Sequence, residues 1–169
     1  MVNNTHMSQF IPPDACHYVT GTWTDAAGAI AGSIAKSKAA ADNTGVVSIP
    51  ITIPQNSIAL QGSKLVSIDV WWECLTAAMD AVTAAINKMV LPADTAAFAA
   101  AVVVAFAYDV GHDTAAERLT LEQHKMTLTP TTPVFLDDDD LIIVQLSMDA
   151  AATSAVTFFG ARANFTLRV

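Results

Sequence analysis

With 8 Lys+Arg against 16 Asp+Glu, this 169-residue chain carries a net charge of −8. It therefore lacks the basic footprint that displaces counterions from nucleic acid, which argues against direct DNA or RNA binding. The length suits one domain that buries its core without staples. The two cysteines, Cys16 and Cys74, are too few for a disulfide framework and read as free buried thiols ahead of the alternative, a single disulfide.

Residues Met1–Asp14 are polar and end near Pro12-Pro13. Proline lacks a donor and fixes φ, so this piece is expected to be neither helix nor central strand. It reads as an N-terminal extended arm ahead of a domain over 15–169. The arm is either a frayed terminus or a segment that orders by laying Phe10, Ile11, Pro12 and Pro13 on another subunit. No basic n-region with a following apolar stretch marks a signal peptide here.

Cys16–Trp23, CHYVTGTW, is rich in β-branched and aromatic residues and predicts a strand. Asp25–Asp42 is Ala-rich but weakened as a helix by Gly28, Gly32 and several serines. Asp42–Gly45 is a turn signal. In Val46–Pro54, Val47, Ile49, Ile51 and Ile53 share a face, and Pro50 points to an edge strand or a bulge.

Lys64–Leu75, KLVSIDVWWECL, is the stretch the rest is organised around. Its period of two sets Val66, Ile68, Val70, Trp72 and Cys74 on one face, and Leu65, Ser67, Asp69, Trp71 and Glu73 on the other. Thr76–Met89 is ambiguous. Leu75, Met79, Val82, Ile86 and Met89 have helical spacing, while a turn followed by a strand over Val82–Leu91 is the rival. Ala96–Tyr108 poses the same conflict between Ala propensity and alternation. Its run Ala96–Ala107, the longest apolar one, is too short to cross a bilayer as a helix.

The last third alternates more cleanly. Leu121, Gln123, Lys125, Thr127 and Thr129 oppose His124, Met126 and Leu128. Thr129–Pro133 is a bend, and Val134–Leu136 leads into the acidic run Asp137–Asp140. Leu141–Met148 is a strand with Ile142, Val144, Leu146 and Met148 inward. Ser154–Val169 is a closing strand with Phe159, Ala161, Ala163, Phe165, Leu167 and Val169 on one face. Ile68, Val70, Trp72, Val144, Leu146, Phe159 and Phe165 are the expected core. Short strands joined by turns predict an all-β fold, an antiparallel two-sheet sandwich or barrel.

Candidate chemistry is sparse. Asp137–Asp140 offers carboxylates, but consecutive side chains splay apart and no calcium-loop spacing is present, so a solvated acidic turn is expected and no metal. His112-Asp113 in a turn and His124 on a strand lack an associated GxSxG or HExxH motif, so no catalytic residue is assigned. Gly28 and Gly32 are followed by no Lys-Ser/Thr at phosphate-loop spacing, and no cofactor is expected. Trp71, opposite the core face of its strand, is a candidate interface residue beside the arm.

The pattern GSKLVSIDVWWECLTAAMDAVTAAINKMVLP, followed by HKMTLTP, an acidic turn, MDAAATS and FFGARANF, resembles small virion structural proteins of tailed bacteriophages. The resemblance covers roughly Gly62–Val169 and, more loosely, Gly21–Trp23 and Val47–Ile53. It implies a jelly-roll-like sandwich of about eight strands on a virion, without enzyme activity. Under it, Val82–Leu91 and Ala96–Tyr108 become strands. The resulting expectation is a capsid decoration or cement protein, self-associating as a homotrimer and contacting other virion proteins such as the major capsid protein, with no membrane or nucleic-acid partner. A jelly-roll major capsid, tail or fibre protein is the near alternative. A carbohydrate-binding sandwich, with Trp71 or Trp72 stacking on a sugar, is the alternative from another class.

Overall fold

A computed structural model describes residues 4–27, 34–54, 62–74, 76–91, 100–137 and 139–168. Among these, the strands are β1 (Asn4–Ile11), β2 (His17–Thr20), β3 (Trp23–Ala27), β4 (Ile34–Lys38), β5 (Asn43–Ile51), β6 (Ser63–Cys74) and β7 (Ala81–Val90). They continue with β8 (Val102–Val104), β9 (Phe106–Tyr108), β10 (Gln123–Pro130), β11 (Val134–Leu136), β12 (Asp140–Ala150) and β13 (Val156–Arg168). Two short 3-10 turns, Pro13–Ala15 and Glu117–Leu119, are the helical elements among the described residues.

Two antiparallel sheets result. One follows the order β3-β4-β13-β6-β10-β9, with β1 added on β13 and β11 on β6; the other runs β2-β5-β12-β7-β8. Eight strands carry the architecture: β4-β13-β6-β10 face β5-β12-β7-β8. In chain order these eight give a jelly roll, two packed sheets wound from Greek keys. β1, of eight residues, and the shorter β2, β3, β9 and β11 are additions at its margins. The sandwich predicted from alternation is thus the fold, and its strand count exceeds the expected eight because two predicted stretches are divided and β1, β4 and β11 form where no strand is predicted. Cys16–Trp23 breaks at Gly21 (φ 82), and its halves join different sheets. Of the predicted strand Ala96–Tyr108, residues 96–99 lie outside the described residues, and the rest breaks at Ala105: β8 pairs with β7 and β9 with β10, so the chain crosses between sheets there. The Ala105 carbonyl freed at the crossing accepts the Thr131 amide at 3.0 Å.

Tertiary pairing overrides local propensity in the ambiguous stretch. Ala81–Val90 is strand β7, ten residues held along β12, and Thr76–Asp80 is a bend; the helical spacing of Met79, Val82 and Ile86 coincides with their burial. Pro50 sits in β5 opposite Ile143, and β2 covers β5 only as far as Ser48, so Pro50 lies where that strand is locally an edge.

The core lies between the sheets. Ile68, Val70, Trp72, Val144, Leu146 and Phe165 are all buried there, as expected. Phe159 is not. A bulge between Phe158 and Gly160 changes the phase of β13, so Phe158 faces inward opposite Trp72 and Phe159 is the unpaired extra residue. β6 carries a matching irregularity: Leu65 is buried and Val66 is 37% exposed, reversing their predicted faces, because the register to β13 shifts there. Both cysteines are free and buried, Cys16 donating to the Pro12 carbonyl at 3.6 Å and Cys74 to the Ala77 carbonyl at 2.8 Å. Burial pushes the Cys16 thiol up to about 12.

The segment expected to order on another subunit orders on its own sheet. β1 pairs with β13 from Asn4↔Arg168 to Ile11↔Ala161, occupying the part of the β13 edge that β4 leaves free. Gly160 makes this possible. Its φ is +119°, and a Cβ there would lie 2.6 Å from the Ile11 carbonyl and 2.9 Å from the Phe10 ring.

Candidate functional site

The outer face of the eight-stranded sheet holds the densest polar network. Alternation along β6 puts Asp69, Trp71 and Glu73 outward, and pairing sets Thr127, Lys125 and Gln123 of β10 directly across from them. On the other side β13 brings Arg162 opposite Asp69 and Asn164 opposite Ser67. Asp69 is 4% exposed, and its carboxylate accepts Arg162 Nη2 at 2.6 Å, Arg162 Nε at 3.1 Å, the Thr127 hydroxyl at 2.7 Å and Asn164 Nδ2 at 3.3 Å. Burial pushes this carboxyl up, but those donors outweigh it and hold it below the usual carboxylate value.

Trp71 stands at the centre of this face, half-buried. Its pair partner on β13 is Gly160, so no β13 side chain covers it from that position. The Arg162 guanidinium lies 5.4 Å and the Lys125 ammonium 6.0 Å from the indole centroid, and Phe10 of β1 lies tilted at 6.3 Å. A cleft of about 220 Å³ opens beside it, lined by Trp71, Trp72, Gln123, His124 and Phe159. Gln123 donates to Glu73 at 3.1 Å, which fixes both groups at the rim. The face thus sets an aromatic ring among oriented donors and acceptors, the makeup of a surface that can hold a ligand.

Of the predicted interface residues, the structure brings Phe10 and Trp71 together and leaves Pro12 exposed. Ile11 and Pro13 are buried within the chain's own fold, Ile11 in the core and Pro13 in the first 3-10 turn, so neither is available to a partner. Trp72, the other residue weighed for sugar stacking, is fully buried between the sheets, since it lies on the core phase of β6.

The acidic run divides. Asp137 and Asp139 are exposed, and Asp138 lies outside the described residues. Asp140 turns inward, accepting the Asp137 amide at 2.8 Å and pairing with Lys88 Nζ at 2.7 Å. Among the described residues no cluster of three or more metal-ligating side chains forms.

The histidines, treated separately in the sequence, meet. His112 Nε2 lies 3.2 Å from His124 Nδ1, His112 Nδ1 lies 3.1 Å from Asp109 Oδ2, and His124 Nε2 lies 3.0 Å from the Thr120 carbonyl. His124 stacks on Trp72 with centroids 4.6 Å apart and planes at 8°. Arg118, which has no distinguishing motif in the sequence, is buried beneath this turn; it donates to the Val82 and His112 carbonyls and lies 4.3 Å from the Tyr108 ring. Neither imidazole has a serine, threonine or cysteine side chain as hydrogen-bond partner among the described residues.

No protein-family model and no curated protein sequence matches the chain. Among solved structures it is similar to TmCBM61 in complex with β-1,4-galactotriose (TM-score 0.40, 12% identity, covering 94% of this chain and 86% of that one). It is also similar to a chain from a study of the promiscuous specificity of carbohydrate-binding modules of the β-sandwich superfamily (TM-score 0.36, 10% identity, covering 92% of this chain and 55% of that one). Both are likenesses of backbone course, and neither says what this chain binds.

Proposed function

We propose that the protein is a non-enzymatic binding module, that its working surface is the Trp71 face, and that its ligand is a saccharide. The observation that carries this reading is a half-buried indole set in an open sheet face among fixed polar groups: Glu73, Gln123, Lys125 and Arg162. A sugar ring presents an apolar C–H face and a rim of hydroxyls, and such a surface answers both at once. The rigidity of the sheet lowers the ordering cost of binding. The test is a glycan array followed by calorimetry on the best hit. Trp71→Ala should abolish binding while the thermal transition stays close to that of the parent chain. An array on which no glycan binds the parent chain would overturn the reading.

A second reading has its own support. Val102 is 66% and Val103 71% exposed on β8, a margin of the five-stranded sheet, and Phe135, 54% exposed, lines the same groove. Exposed apolar side chains on a sheet margin are what subunit contacts cover. We propose as this second reading that the margin is a subunit contact, of the kind a virion decoration or cement protein would use as a homotrimer seated on other virion proteins such as the major capsid protein. Light scattering should then give three times the chain mass, and Val103→Lys should return it to one. A parent chain that is monomeric at all accessible concentrations would remove this reading and leave the first untouched.

A further inference from the structure

We infer that Asp109, His112, His124 and the Thr120 carbonyl form a proton-binding latch, fastened only while the two imidazoles share one proton more than two neutral rings carry.

Hydrogen-bond donors are what run short here. Three contacts link the four groups, at 3.1, 3.2 and 3.0 Å. Both ends of the chain of contacts, a carboxylate and a carbonyl, only accept. The Asp109 end requires a proton on His112 Nδ1, and the Thr120 end requires one on His124 Nε2. If the rings hold only those two, the unprotonated His112 Nε2 and His124 Nδ1 face each other as lone pairs. A third ring proton between them completes all three bonds. A fourth would set N–H against N–H. The latch is therefore closed in one protonation state of the pair, and opens when a proton is gained or lost.

The surroundings favour that state. Asp109 balances the shared charge, and its other oxygen accepts the Thr127 amide at 2.7 Å, which locks it to β10. The remaining charged and titratable neighbours are Arg118, bound to the His112 carbonyl at 2.5 Å; Glu117 of the 3-10 turn, which interacts with His112 and is tied to Thr114 and Asp113; and Glu122, just before β10. β9 contributes Tyr108 beneath Arg118, β6 contributes the uncharged Trp72 ring, and β7 contributes the Val82 carbonyl through Arg118. Burial holds His124 below its ordinary value of 6.5, with the His112 charge acting in the same direction and the Thr120 carbonyl and Glu122 opposing it. A second added proton is thus resisted in the folded chain. By linkage, the stability that His124 contributes is present above its unfolded value and falls as pH drops below it. The latch ties the turn from Asp109 to Thr120 onto β10, and His124 also lines the cleft beside Trp71, so its state bears on the shape of that cleft.

Asp109→Asn separates charge from hydrogen bonding. An asparagine amide donates to His112 Nδ1, and all three bonds then close with two neutral rings. Nitrogen-15 NMR of the imidazoles in the full chain at about pH 7 reads this directly, because histidine titrates in that range. The parent chain should show His112 protonated on both nitrogens and His124 as the Nε2–H tautomer; Asp109→Asn should show two neutral rings and His112 as the Nε2–H tautomer. Two neutral rings in the parent chain would overturn the proposal, and that spectrum decides even if the variant does not fold. Zinc chloride that stabilises the parent chain but not His112→Gln would also overturn it, by making the shared cation a metal.

Discussion

At the scale of single residues, Trp72 and Asp69 divide the labour of β6. Trp72 is fully buried against His124, and its indole N–H finds no hydrogen-bond partner among the described residues. Its contribution is therefore volume and stacking, and Trp72→Ala should cost about 3–5 kcal/mol in denaturant unfolding. Trp72→Phe should cost less than a simple loss of area suggests, since it also removes a buried, unsatisfied donor. Asp69 does the opposite work on the outer face, joining β6, β10 and β13 through one carboxylate. Asp69→Ala should lose about 1.5–3 kcal/mol at neutral pH, the range for hydrogen bonds to a charged group. Because the folded carboxyl is held below its ordinary 3.8, that stability is present above this value and is lost as pH falls through the lower, folded value. Parent and variant unfolding curves should accordingly converge in strong acid.

At the scale of elements, alternation makes most strands readable, and its failures are local and physical. From Ile68 to Cys74 the predicted phase is the observed one, which also places Asp69 and Trp71 outward. It fails at Val66 and Phe159, where an unpaired residue resets a count that period-two reasoning cannot see. β1 escapes such reasoning for another cause: its composition says little, and what orders it is an edge of β13 formed by the other end of the chain. The His112–His124 contact is hidden likewise, as it depends on how a turn folds back over β10. Gly160 is what lets β1 lie so close. Gly160→Ala combines a forced positive φ, costing about 1–3 kcal/mol, with a backbone clash. Amide exchange should then accelerate in β1 before it does in β6. A truncated chain beginning at Ala15 should melt well below the full chain, because Ile11 leaves the core with the strand; an unchanged melting temperature would return residues 1–14 to the status of a dispensable arm.

At the scale of the whole molecule, the jelly roll leaves two unlike surfaces for work. The Trp71 face is polar and cross-linked by side-chain hydrogen bonds, whereas the β8 margin exposes Val102 and Val103. With a net charge of −8, association through the apolar margin should tighten as salt screens the repulsion between like copies. Sedimentation at low and high ionic strength checks this. A rise in mass with salt fits apolar association, and a fall would mean that charge pairing holds the copies together.

The bulge at Phe159 has a consequence for how this gene could tolerate length change. Phe158 and Gly160 already pair with consecutive residues of β6, Trp72 and Trp71, so the residue between them is slack in the thread. Excising its codon would leave Ala161, Ala163 and Phe165 facing the same way. The cost should stay within the range of an ordinary substitution, about 0.5–3 kcal/mol. β12 has no such slack: it is in unbroken register with β5 and β7 on both sides. Removing Leu146 there would turn every later side chain of the strand to the wrong face. A scan of single-codon deletions scored by soluble yield should therefore show a tolerant notch at position 159 and an intolerant stretch across 142–148.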